Sequence, residues 1–145
     1  MSDIQNTFWV FTLINLSGTE KFLCIKRSEY KDRNPLHRDI PWWWLEIWEQ
    51  IEQSAIRECA EEVGLDTDGS LTFLWTRSRR TNADHTRRST VLFYTADTAI
   101  ENVTLSDEHT EYKRLTLDEI MKLELRADVL DEAVRLYKLT PALPK

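Results

Sequence analysis

Glycine is scarce in this chain, with 3 in 145 residues, where average usage of about 7% would place about ten. Positive charge is also short: 19 Lys+Arg stand against 25 Asp+Glu, a net charge of −6 with a pI near 5.1. That deficit excludes a nucleic-acid binder driven by overall charge, because such domains carry a basic surplus. No apolar run approaches the roughly 18 residues that would suggest a membrane span. The start of the chain holds Asp3 and no Lys or Arg before its first apolar stretch, so a secretory signal is not expected. Cysteine is limited to Cys24 and Cys59, isolated in apolar segments, which favours reduced core thiols and a cytoplasmic setting. His37 and His85 lack ligand-like spacing, so zinc is not expected, and His109 reads as a loop residue. No internal repeat, low-complexity tract or second domain is visible. With 41% hydrophobic and 30% charged residues, the chain reads as one globular domain, 1–145.

What is abundant is tryptophan. Four of the 6, Trp42, Trp43, Trp44 and Trp48, fall within one short stretch.

Local patterns predict the elements. Phe8 to Leu16 and Lys21 to Arg27 flank the turn Ser17-Gly18-Thr19 and form a hairpin signal. Ser28 to Asp39 is polar, contains Pro35 and reads as a connecting loop. Leu71 to Thr76 and Ser89 to Ala96 read as strands around a polar tip, Arg77 to Arg88, and Glu111 to Leu115 as a short strand. Thr116 and Glu119 have capping-box spacing, predicting a short helix to about Leu123. Asp128 to Leu139 carries apolar residues at helical spacing and is closed by Pro141.

The strongest helix runs from Gln50 to Val63, with Gly64 placed for a left-handed C-terminal cap. Ala55, Ile56, Cys59, Ala60 and Val63 form its apolar arc, while Glu58, Glu61 and Glu62 share a different arc. These acids meet the negative end of the helix dipole and repel one another. The cluster is either a solvated acidic face or a site for a hard divalent cation, which takes carboxylate oxygens and bridges to substrate phosphates.

The full spacing decides between these. Glu49, seven residues, then Arg57-Glu58-Cys59-Ala60-Glu61-Glu62-Val63-Gly64-Leu65 resembles the Nudix box, G-x5-E-x7-R-E-U-x-E-E-x-G-U, with U apolar. The motif spans residues 43–65, and every defined position from Glu49 onward is met. The resemblance implies an α/β (α+β) fold, a Nudix-like α/β/α sandwich with a mixed β-sheet. It implies a hydrolase that cleaves the diphosphate linkage of a nucleoside diphosphate derivative or nucleoside triphosphate with Mg²⁺ or Mn²⁺. Carried over, Glu58, Glu61 and Glu62 are the expected metal ligands, joined by the backbone carbonyl of Trp43. Glu49 and Arg57 are the pair expected to orient them. A further carboxylate, Glu108 or Glu111, is expected as metal ligand or general base, and Glu111 is included with the catalytic set. Nucleotide binding without turnover is the alternative function. A homodimer is a possible state.

The family carries glycine where this chain has Trp42, Trp43 and Trp48. Three readings follow: a stacking platform for a nucleobase, an interaction patch, or tryptophan substituted for glycine, engineered or native. The third is favoured here, because Pro41, Glu46 and Glu49 between and around the tryptophans stay family-like. It predicts a displaced loop, a left-handed backbone cost of roughly 1–2 kcal/mol per position, and weakened activity. Arg77, Arg79, Arg80, Arg87 and Arg88 gather around one hairpin tip. They are either a solvated turn or a phosphate-binding group, with Arg79, Arg80 and Arg87 the candidate substrate contacts.

Overall fold

The computed structural model describes residues 5–28, 37–46, 48–67, 70–80, 87–99, 102–106 and 109–139. Its strands are β1 (Gln5–Leu16), β2 (Phe22–Arg27), β3 (Arg38–Asp39), β4 (Trp42–Trp44), β5 (Thr72–Arg80), β6 (Arg87–Thr98) and β7 (His109–Leu115). The helices are α1 (Ile51–Val63), α2 (Leu117–Ile120) and α3 (Asp128–Leu139). The strands form one mixed sheet in the order β3-β2-β1-β6-β5, with β4 paired to β1 and β7 to β2. Its spine is the parallel pairing of β1 with β6, in register from Gln5↔Arg87 to Leu16↔Thr98.

Alternation along the central strands divides the core in two. On β1, Phe11 and Leu13 point to one face, where they meet Leu130, Ala133 and Val134 of α3 and Ile120 of α2. Val10 and Ile14 point to the other, where they meet Ala55, Cys59 and Val63 of α1. Strand β6 does the same, Val91 and Phe93 facing α3 and Leu92 and Tyr94 facing α1. The fold is thus the expected α/β sandwich with a mixed sheet between helices. Among the described residues no helix is long and apolar enough to cross a membrane.

Three expectations are corrected. The segment ending at Asp39 is not all loop: Arg38–Asp39 pairs with β2, Ile25 opposite Asp39. The tryptophans do not form a strained loop either. Trp42–Trp44 is a strand in register with β1, Phe11↔Trp42, Val10↔Trp43 and Trp9↔Trp44. Extended backbone suits β-rich aromatic residues, so the left-handed cost does not arise at these three positions. The Arg-rich tip is also shorter than Arg77 to Arg88, because β5 continues to Arg80 and β6 begins at Arg87.

Candidate active site on the acidic helix

Helix α1 is placed by its apolar arc and by one buried polar clamp. Trp43 is 5% exposed and sits in the α1-side core. Its indole N–H donates to Ser54 Oγ at 2.9 Å. A buried Trp needs such an acceptor, and here the bond joins β4 to the first turns of α1. The other end is closed at Gly64, which adopts φ 70° and donates its N–H to Ala60 O. The loop 102–106 then supplies partners for the last carbonyls: Thr104 N–H donates to Val63 O and Ser106 N–H to Glu62 O, each at 3.0 Å.

Arg57 is the centre of the charged cluster. Its guanidinium reaches Glu49 Oε2 at 2.5 Å, Glu61 Oε2 at 3.1 Å and Glu58 Oε1 at 3.3 Å. Glu49 is fixed from its other oxygen by the Glu46 backbone N–H, 3.1 Å away. Ser106 Oγ donates to Glu62 Oε2 at 2.7 Å. The structure therefore brings Glu49, Arg57, Glu58, Glu61 and Glu62 together, with Ser106 as a partner that the sequence did not single out. Only its place before β7 could have hinted at this.

The electrostatics follow from burial and count. The hydrogen bond from Arg57 holds the Glu49 carboxyl below the usual range. Glu58 is pushed upward, first by desolvation and then by Glu61, Glu62 and Glu49, against the opposing pull of Arg57. Three carboxylates share the Arg57 guanidinium and a fourth, Glu62, stands on the same helix, so the cluster is net negative and lined by hard oxygen donors. That chemistry fits Mg²⁺ or Mn²⁺. Among the described residues no three such side chains already converge as a metal set. Glu61 is paired with Arg57 through Oε2, and Glu62 accepts from Ser106 through its own Oε2.

The remaining candidates lie elsewhere in the sheet. Glu111 on β7 is held by Arg38 of β3, and this ion pair keeps its carboxyl below the ordinary range. Glu108 and His85 lie outside the described residues. Arg79, Arg80 and Arg87 stand on β5 and β6 at either side of residues 81–86, and their side chains lie outside the description. Arg77 is committed to structure, donating to the buried Glu132 of α3 at 2.9 Å. For Trp43 the ladder matters: Thr12 N–H donates to Pro41 O, and Leu45 N–H to Phe8 O. Antiparallel alternation makes Val10–Trp43 the hydrogen-bonded pair between them, so the Trp43 carbonyl faces Val10 and has one lone pair left for any other partner.

A mixed sheet between helices, with a Glu-rich helix packed across one face, is the architecture of an α/β/α sandwich. The family model for the NUDIX domain matches residues 5–137, and the chain belongs to that family. With the family comes its reaction class, hydrolysis of phosphoric anhydride bonds. The fold is similar to that of the MutT protein from Methanosarcina mazei Go1, with a TM-score of 0.76 and 21% identity over 95% of this chain and 97% of that one. A C. elegans Ap4A hydrolase shares it at a TM-score of 0.62 and 20% identity, covering 93% of this chain and 96% of that one. The NUDIX domain of Shewanella oneidensis NrtR, in complex with ADP ribose, shares it at a TM-score of 0.68 and 18% identity, covering 97% and 91%. No curated protein matches the chain by sequence.

Proposed function

We propose that the chain hydrolyses the diphosphate linkage of a nucleoside diphosphate derivative or a nucleoside triphosphate, acting as a single domain. The observation that carries this is the charge arrangement on α1: Glu49, Glu58 and Glu61 gathered on Arg57, with Glu62 beside them on Ser106. Glu58, Glu61 and Glu62 would hold Mg²⁺ or Mn²⁺, with the Trp43 carbonyl as a further oxygen donor. When bound, the metal neutralises phosphoryl charge and lowers the pKa of water for attack.

The chain's own residues do the rest. Arg57, fixed by Glu49, sets the rotamers of Glu58 and Glu61. Ser106 steers Glu62. Desolvation and the neighbouring acids disfavour the charged form of Glu58, and a bound cation would offset that cost by pairing with its carboxylate. Glu111 is kept ionised by Arg38 and would act as a base only on leaving that pair. Arg79, Arg80 and Arg87 would offer forked contacts to substrate phosphates, which an acidic chain cannot attract through its overall field. Cys24 and Cys59 are buried thiols pushed up to about 12 by desolvation; inert, unpaired thiols support a reducing, cytoplasmic setting.

The test is release of phosphate or pyrophosphate from a panel of nucleoside diphosphate derivatives and triphosphates, with Mg²⁺, with Mn²⁺ and with chelator. Hydrolysis that persists in chelator removes the metal assignment. A second reading has its own support, because Glu61 and Glu62 are already partnered by Arg57 and Ser106. It is a NUDIX domain that holds a nucleotide without cleaving it. Tight binding across the panel with no turnover in either metal would establish that reading.

A further inference from the structure

The tryptophans of β4 divide between the two faces of the sheet. Residues directly opposite across a ladder share a face, so Trp43 joins Val10 under α1, while Trp42 and Trp44 join Phe11 and Trp9 on the α3 side. Trp43 therefore carries a polar atom into the apolar layer beneath the acidic helix. Its indole N–H donates to Ser54 Oγ at 2.9 Å, and the two residues are 5% and 1% exposed. Water cannot compete for a bond sealed to this degree, so it is stronger and stiffer than a solvated one.

The place of Ser54 on α1 gives the bond its leverage. At about 100° per residue, Ser54 lies within roughly 40° of both Glu58 and Glu61 around the helix axis, about one and two turns before them. The bond thus grips the helix on the stripe that carries the acids. Local sequence does little to fix this end, because Gln50 gives α1 no side-chain cap. The second tie from the same strand runs from the Glu46 N–H through Glu49 to Arg57, and it lies open to solvent, with the Arg57 side chain 46% exposed. Ala55, Cys59 and Val63 press the helix onto the sheet, but apolar contact is non-directional and resists rotation weakly. Glycine, the family's residue at position 43, has no side chain to donate.

We infer that the Trp43–Ser54 hydrogen bond sets the rotation of α1, and with it the arrangement that Glu58, Glu61 and Glu62 present to a divalent cation. Ser54 is then a positioning residue. The inference rests on the reading of these acids as a metal site. It also reverses the expected effect of this tryptophan: removing the indole weakens the site.

The experiment pairs calorimetric titration with Mn²⁺ and urea unfolding, on the parent chain, Ser54→Ala, Trp43→Phe and the double variant. Each substitution leaves the backbone carbonyl of residue 43 in place. Loss of a group that orients metal ligands from behind typically costs about 10–100-fold in metal affinity, and that loss is expected in both single variants. Stability separates positioning from packing. Ser54→Ala strands a buried N–H, whereas the double variant replaces both partners by apolar groups, a change that is close to neutral. The double variant is therefore expected to regain most of the parent's stability and to keep the weakened Mn²⁺ affinity. Parent-like Mn²⁺ affinity in the double variant, or affinity that falls only in step with stability across the three variants, would make the bond structural and overturn the inference. Those results leave the metal reading standing. Failure of the parent chain to bind Mn²⁺ defeats both.

Discussion

Helices α1 and α2 obey opposite rules. The four-residue α2 has every local device: Thr116 Oγ accepts from Glu119 N–H, the Glu119 carboxylate accepts from Thr116 N–H, and Asp118 adds a second acid at the positive end. The 13-residue α1 starts at Gln50 without a side-chain cap, has no basic residue in its last turn, and crowds Glu58, Glu61 and Glu62 toward its negative end. Stability alone would not choose that pattern. A sequence that breaks local rules in one element while keeping them in the next marks the first as the place where function is held.

The sharpest way to break the comparison is to neutralise the acids. Glu61→Gln and Glu62→Gln should each lower Mg²⁺-dependent turnover by about 100-fold or more, the scale of losing a catalytic carboxylate. Metal-free thermal stability should hold or rise slightly, because like-charge repulsion is relieved. If stability falls while turnover is untouched, the arc is a structural face.

The contrast extends to two carboxylates that burial pushes upward. Glu58 lies at the mouth of a charged cluster, whereas Asp39 is sealed behind Trp42 and raised to about 7 by desolvation. An Asp raised in the folded state keeps a proton that the unfolded chain has released. Stability from this group is therefore fullest below about pH 4 and is lost as pH rises toward 7, with a slope of at most about 1.4 kcal/mol per pH unit. Urea unfolding across that range should show a steeper decline for the parent chain than for Asp39→Asn. Parallel curves would mean that Asp39 is ionised in the fold.

Gly64 tests the C-terminal end of α1. At φ +70° an added Cβ would also meet Thr104 Cβ at 3.1 Å and Thr104 N at 3.3 Å. Gly64→Ala should cost about 1–2 kcal/mol from the left-handed conformation. Because the 102–106 loop is bonded to the helix end there, Ser106 should lose its hold on Glu62 and turnover should fall as well. A stability loss without any change in turnover would separate the cap from the site.

These features differ in how far the sequence alone exposes them. The capping box at Thr116, the cap at Gly64, the hairpin around Gly18 and the α1 arc were legible because each is set by residues close together in the chain. Strand β4 was not. Three consecutive tryptophans show no alternation, and their split between two faces arises only when β1 pairs with them. Arg38–Glu111 and Arg77–Glu132, separated by 73 and 55 positions, are likewise products of the sheet. The candidate site was legible for the same reason as the helix caps: Glu49 to Glu62 is one local segment. Its partner Ser106 was hidden because it arrives from a distant loop.

The smallest expected effect completes the comparison of the helices. Thr116→Ala removes the Oγ acceptor at 3.2 Å from Glu119 N–H and leaves that donor to water. Loss of such a cap costs typically about 1 kcal/mol. The change lies at the junction of β7 and α2, where Ile120 enters the α3-side core, and not on the α1 face. Chemical denaturation should therefore show the loss while kcat and KM stay at parent values. A change in kcat would mean that the α2 side communicates with the acid cluster, and the division between a helix built for stability and a helix built for chemistry would fail.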